Sequence, residues 1–240
     1  MAIFCRASWV VLALGLVASP VDAQLMNDPV QLSPKGEVGL TVAGDVGQGI
    51  NGASGSHTSF NGRVTLGLPW LQVTVGVGLE RFKGVFLVNA NQGATGSSTL
   101  VGWQPAATRA NFMGLAALQL IPSTPTVPIS VAFFAGVGHA SAWGSTLTTV
   151  PVGLAVGLEL SSSGTSIEPW IAPRFSRLHT SGQDAETDSG VSGGLNVGLS
   201  MGLGFQAAVD YLKVPGDSPV IASIGVRYRF NVPGLGTVSG

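Results

Sequence analysis

A chain of 240 residues with no linker-like divider is sized for one domain, and a formal net charge of −1 excludes the basic footprint of a nucleic-acid binder. Only 10% of the residues are charged and 45% are hydrophobic, against roughly a quarter charged in an average soluble domain, so water is not expected as the solvent on every side. The 35 glycines follow no Gly-X-Y period, which excludes a collagen-like chain and places glycine inside ordered elements.

The N-terminus carries the pattern of a secretory signal over 1–23. Arg6 supplies the positive region, Trp9 to Ala18 the apolar run, and Val21-Asp22-Ala23 a small-residue cleavage site before Gln24. The sole cysteine, Cys5, lies inside that segment, so the processed chain is expected to have no disulfide or thiolate chemistry. A short N-terminal periplasmic segment is expected over 24–35. No later stretch holds the ~20 consecutive apolar residues of a helical span, so membrane insertion has to use strands.

From Gly36 onward the hydrophobic period is two, which is the strand signature. Ten strands are predicted near 36–46, 58–68, 71–82, 108–121, 129–143, 148–161, 166–180, 190–201, 204–214 and 218–230, with an eight-strand count open if one pair is misread. Ile129, Val131, Phe133, Ala135 and Val137 make one greasy face, with Phe134 as the exception on the small-residue face. Val150 to Leu160 and Val191 to Leu203 repeat the pattern. Short Pro- or Gly-marked turns, at Leu68-Pro69-Trp70, 121–128, 161–165 and 202–204, alternate with longer polar segments at 46–57, 83–107 and 181–189. An even strand count with short turns at one rim and longer loops at the other is the pattern of single-chain outer-membrane barrels, with both termini on the periplasmic side.

A soluble sandwich also alternates, with its apolar row inward. Charge placement separates the two. The lysines, Lys35, Lys83 and Lys213, fall outside the strands or at their ends, and the row opposite the aliphatics is mostly Gly, Ala, Ser and Thr. That suits a crowded barrel interior, with the aliphatic row facing lipid and closure satisfying every backbone group. The expected fold class is therefore all-β, a closed antiparallel up-and-down transmembrane barrel over 36–230.

In the last strand, Val220, Ala222, Ile224, Val226, Tyr228 and Phe230 alternate with Ile221, Ser223, Gly225, Arg227 and Arg229. An ending of the type Tyr228-x-Phe230 resembles the C-terminal assembly signal of bacterial outer-membrane β-barrel proteins, of the small porin-like kind. The resemblance covers the signal segment and nearly all of the processed chain, as architecture. It implies a Gram-negative outer-membrane location and, as partners, membrane lipids, the barrel-assembly machinery and small solutes or ions. The family usually ends at the aromatic residue, whereas here a tail over 231–240 follows.

Assigning the small-residue row to the lumen places Glu37, Arg63, Glu80, Glu159, Glu168, Arg174, Asp210, Arg227 and Arg229 inside, with Arg109 beside them. Two roles compete for them: ion-paired interior networks that fill a narrow barrel, which is the expected one, and charged rings of a water-filled constriction. A passive channel or structural protein without an enzymatic step is the leading functional expectation. A rim hydrolase could draw on His57, His139 or His179, the last near Ser181, Asp184 and Glu186, but their spacing gives no support. Asp184, Glu186 and Asp188 read as a solvated acidic tip rather than a cation loop. The glycine pairs Gly76/Gly78 and Gly136/Gly138 lie in strands and lack the helix of a phosphate loop. No cofactor and no metal site is expected. Trp70, Trp103, Trp143 and Trp170 are expected at strand ends as an interfacial girdle. The Gly/Ser/Asn/Thr-rich 83–107 segment offers a mobile surface loop for an adhesin or other binding barrel.

Overall fold

The computed structural model describes residues 37–50, 53–68, 70–92, 96–142, 145–180, 185–213 and 220–231. The expected segments 1–23, 24–35 and, apart from Asn231, 231–240 lie outside them. The strands are β1 (Glu37–Ile50), β2 (Ala53–Gly67), β3 (Leu71–Gln92), β4 (Gly96–Ile121), β5 (Ile129–Ala142), β6 (Ser145–Leu158), β7 (Leu160–Ser162), β8 (Thr165–Thr180), β9 (Glu186–Leu199), β10 (Leu203–Lys213) and β11 (Val220–Asn231).

Apart from β6 and β7, which both lie along β8, each strand pairs antiparallel with its sequence neighbours, and β1 pairs with β11. The sheet thus closes on itself. The three-residue β7 continues β6 along β8 after an interruption at Glu159, so the wall has ten staves, and the eight-strand count is excluded.

The two rows of side chains separate as the period-two pattern requires. Phe60, Val75, Val77, Phe175 and Ile224 are 56–72% exposed on the outer surface. Their neighbours on the other face, Asn61, Thr74, Ser176 and Ser223, are buried. An apolar band of this extent on a water-facing surface would be costly at ~25 cal/mol per Å². Against acyl chains it carries no such cost, and the closed ladder leaves no edge unpaired around the wall. The β-barrel is therefore of the transmembrane kind.

Turn chemistry explains the short rim. At β7–β8, Ser163 and Gly164 both take positive φ, 47° and 85°, the mirror-image hairpin turn that matches strand twist. At β9–β10, Gly202 has φ 84°, and a Cβ there would collide with the Arg229 carbonyl oxygen.

Several expectations are corrected at the opposite end. The polar segments 46–57 and 83–107 are not loops: β1 and β2 continue to Ile50 and from Ala53, while β3 and β4 pair out to Gln92↔Gly96. Backbone pairing needs no alternating greasy face, so the absence of alternation hid these strands. β2 leaves β3 at Gly55↔Gly84, and β5 leaves β4 at Asn111↔Ala140. Beyond those pairs, among the described residues, β3 and β4 form a two-stranded ribbon.

Four prolines lie within the strands: Pro105 of β4 falls at the irregularity of the β3–β4 ladder between Phe82 and Gly84, and the other three fall at gaps in the barrel ladders. Continuing the registers of the flanking pairs puts Pro151 opposite Gly136, Pro173 opposite Leu154 and Pro169 opposite Leu158, the three places where pairing of β5–β6 and β6–β8 lapses. A proline has no N–H to give the ladder. The last of these gaps adjoins the break between β6 and β7.

Candidate functional site

The interior is the place where the sequence concentrates charge, and its geometry follows from strand alternation. On β8, Glu168, Trp170, Ala172, Arg174 and Ser176 all face inward and are buried. Between them the outer row reads Pro169, Ile171, Pro173 and Phe175, all exposed. Trp170 is thereby corrected: it belongs to the interior rather than to an interfacial girdle. Trp70, at the β2–β3 turn, is 69% exposed and fits the girdle. Trp103 lies within β4, whose side chains there are outside the described set, as is Trp143 altogether.

Arg174 reaches across β9 to β10. Its Nη1 donates to Asp210 Oδ1 at 2.5 Å and to Ser192 Oγ at 2.6 Å, and its Nη2 donates to Asp210 Oδ2 at 2.8 Å. Ser192 Oγ in turn donates to Asp210 Oδ1 at 2.6 Å. The guanidinium fork matches the carboxylate edge, the strong and directional form of an ion pair. Three inward positions back along β8, Glu168 Oε2 accepts from Asn196 Nδ2 at 3.3 Å.

On the facing wall Arg63 is 3% exposed, between Asn61 and the Gln72/Thr74 pair, and Gln72 Nε2 donates to Thr74 Oγ1 at 3.3 Å. Arg227 is 3% exposed on β11, and Arg229 on the same row is half-buried towards the short-turn rim. Among the described residues an apolar cluster fills the section between these polar groups: Met113 and Leu115 from β4, Phe134 from β5, Ala155 from β6, Trp170 from β8 and Ala208 from β10. Gly153 and Gly194 admit the two large rings. A Cβ on Gly153 would stand 2.5 Å from Phe134 Cζ, and one on Gly194 would stand 2.9 Å from the Trp170 indole.

Of the residues assigned to the lumen, Arg63, Glu168, Arg174, Asp210 and Arg227 are inward and buried, and Arg229 is inward and half-buried. Glu159 is not inside. It sits exposed at the β6–β7 break, where Ser123 Oγ and Ser161 Oγ donate to its carboxylate and its own N–H reaches the Pro128 carbonyl at 2.7 Å. The proline opposite Leu158 stops the strand just before it, so alternation does not carry across. Glu80 and Arg109 are Cα partners between β3 and β4, and Glu37 partners Asn231; their side chains lie outside the described set.

The acidic-tip expectation also changes. Asp188 is a buried inward residue of β9, Cα partner of Ser176, and Glu186 begins that strand. His179 is an exposed outward residue of β8 rather than part of a loop, and His139 Nδ1 lies 3.2 Å from Thr148 Oγ1 on the outer face of β5–β6. His57 lies within β2. Ser181 and Asp184 fall outside the described residues. What sequence reasoning missed is the apolar layer across the lumen, for which Phe134 was the visible signal and Trp170 the hidden one.

No family model and no curated protein matches the chain. Solved structures do resemble it. The beta domain of the Bordetella autotransporter Brka superposes with a TM-score of 0.52 at 14% identity, covering 82% of this chain and 100% of that one. The translocator domain of the autotransporter NalP from Neisseria meningitidis gives 0.51 at 10% identity, covering 93% and 99%. At these identities the likeness is one of fold: a bacterial outer-membrane β-barrel.

Proposed function

We propose that this chain, with the fold of the bacterial outer-membrane β-barrels as premise, is a sealed structural barrel of that membrane rather than a water-filled channel. The observation that carries the reading is the burial of the inner row. In nine of the ten staves, β2 through β11, at least one inward side chain is shielded from water, and Gln72, Phe134, Thr149, Arg174, Ser176 and Asn196 are at most 2% exposed. An aqueous pore lined by Arg and Glu rings would leave such side chains wetted. Here arginine forks, amides and two large rings occupy the cross-section, with Arg174, Ser192 and Asp210 bonded to one another and Glu168 to Asn196.

The test is to refold the full processed chain into liposomes and measure swelling in sugars of graded size, with planar-bilayer recordings beside it. The expected result is insertion without solute-dependent swelling and without reproducible conductance steps. Regular steps from the folded wild-type protein would overturn the reading.

A second reading is supported by the β3–β4 ribbon. A spanning strand needs only ~9–11 residues, whereas β3 has 22 and β4 has 26. The ribbon runs past its neighbours with its outer edges paired to no described strand, an arrangement that can accept an added extended segment. A barrel that anchors this ribbon would act as a surface-binding module. Removing 85–103 while keeping the barrel folded is expected to abolish surface binding under this reading and to leave it unchanged otherwise.

A further inference from the structure

The short-turn rim holds a cavity that the interior network does not use. The Ser163–Gly164 turn and the Ser200–Gly202 turn lie against each other, since a Cβ on Gly164 would stand 3.1 Å from Ser200 Cβ. Between these turns and the end of β11 opens a cavity of about 570 Å³, lined by Ser161, Ser163, Ser166, Ser200, Arg229 and Phe230 among others. Its floor includes Gly198 of β9.

The geometry points to an anion site here, for a phosphate group presented either free in solution or as the head of a membrane lipid. Gly198, one of the lining residues, shows which donors gather there. The three atoms nearest to where a Cβ on Gly198 would be are Ser166 Oγ at 2.5 Å, Arg229 Nη2 at 3.2 Å and Arg227 Nη2 at 3.8 Å. All three are hydrogen-bond donors, two of them on guanidinium groups, and they come from β8 and β11 on either side of β9 and β10. A tetrahedral oxyanion accepts from several directions at once, which suits the Arg229 fork and the Ser166 hydroxyl that line the cavity, with the buried Arg227 guanidinium adding positive charge behind them, better than a neutral ligand would. Glu168, one inward position further along β8, accepts the Asn196 amide rather than lining the cavity.

The cavity also has an apolar lip. Leu199, Met201 and Phe230 line it, with Met201 69% and Phe230 45% exposed, and this lip continues the lipid-facing band. A phosphate attached to an acyl-bearing molecule therefore finds donors on one side of the site and hydrocarbon on the other. Inorganic phosphate would use the donors alone.

The test uses the full processed chain folded in a phosphate-free, non-ionic detergent, with folding read from its heat-sensitive electrophoretic mobility. Inorganic phosphate, and separately short-chain phosphatidylglycerol and phosphatidylcholine, are titrated by calorimetry, with acetate as a control. The expected result is saturable one-site binding that is weakened at least tenfold in Arg229→Gln and several-fold in Ser166→Ala, and lost in Gly198→Ala. Preference for a lipid over inorganic phosphate identifies a headgroup site, and the reverse preference a free-anion site. Absence of saturable binding by either, or binding unchanged in Ser166→Ala and Arg229→Gln, overturns the proposal. Should Arg229→Gln fail to fold, the wild-type titration and the rim variants Ser166→Ala and Ser200→Ala decide.

Discussion

Arg174 and Asp210 meet across an intervening strand, two N–H groups against two carboxylate oxygens at 2.5 and 2.8 Å, with the arginine side chain wholly buried and the aspartate 7% exposed. A pair so placed ties β8 to β10 over β9. Removing one partner strands a buried charge, which typically costs about 3–5 kcal/mol, whereas replacing both with apolar groups of similar volume is often neutral or stabilising. Asp210→Ala is therefore expected to lower unfolding free energy in urea by about that amount. The double variant Arg174→Met/Asp210→Leu should recover most of the loss. Equal damage in both variants would show that the pair does more than neutralise itself.

The outward row makes a prediction that a water-facing strand would not. Ile224 is 72% exposed in the middle of β11. On a water-facing strand Ile224→Arg would be close to neutral. At the hydrocarbon midplane an arginine costs about 2–4 kcal/mol, so urea unfolding from vesicles is expected to show a destabilisation in that range.

Trp170 tests the sealed lumen. With Trp70, Trp103 and Trp143 replaced by Phe in the processed chain, the remaining indole should resist both acrylamide from the water side and brominated acyl chains from the lipid side. Trp170→Ala is expected to cost about 3–5 kcal/mol, as truncating a buried large ring does. Quenching of Trp170 by brominated lipid would place the ring on the wrong face.

These three sites differ in how much of them could be read from sequence. Ile224 follows from alternation alone, and Phe134 announced itself by breaking the alternation on β5. Trp170 did not, because the outer row beside it is Pro169, Ile171, Pro173 and Phe175, where prolines dilute the aliphatic signal that would have fixed the inner row. The Arg174–Asp210 pair was visible as two inward charges but not as a pair, since partners 36 residues apart depend on three-stave register. Glu159 was misassigned because parity was carried through a strand that a facing proline interrupts. The 83–107 ribbon reads as a loop in the sequence because its apolar residues, Val85 to Val88 and Leu100-Val101, come in unbroken runs without alternation among Gly, Ser, Asn and Thr.

The prolines give the last prediction. Pairing of β6 with β8 runs to Gly153↔Arg174 and resumes at Val156↔Ile171, leaving Leu154 and Ala155 unpaired on that side beside Pro173. The same strand loses its β5 partner around Pro151, between Ala135↔Val152 and Gly138↔Thr149. β6 is thus the stave held by the most interrupted ladders, and its amides should exchange with deuterium faster than those of β10, whose ladders to β9 and β11 are continuous. Local opening is favoured where hydrogen bonds are missing. Pro173→Ala restores an N–H facing β6. The new amide at position 173, donating to a β6 carbonyl, is expected to be protected from exchange, and the barrel to be stabilised by about 0.5–1.5 kcal/mol, the net value of one hydrogen bond, less the backbone entropy that alanine returns to the unfolded chain. Hydrogen exchange by mass spectrometry on the vesicle-folded protein checks both parts. An amide at position 173 of the alanine variant that exchanges as freely as an unbonded one would mean that the gap arises from strand curvature, not from the missing donor.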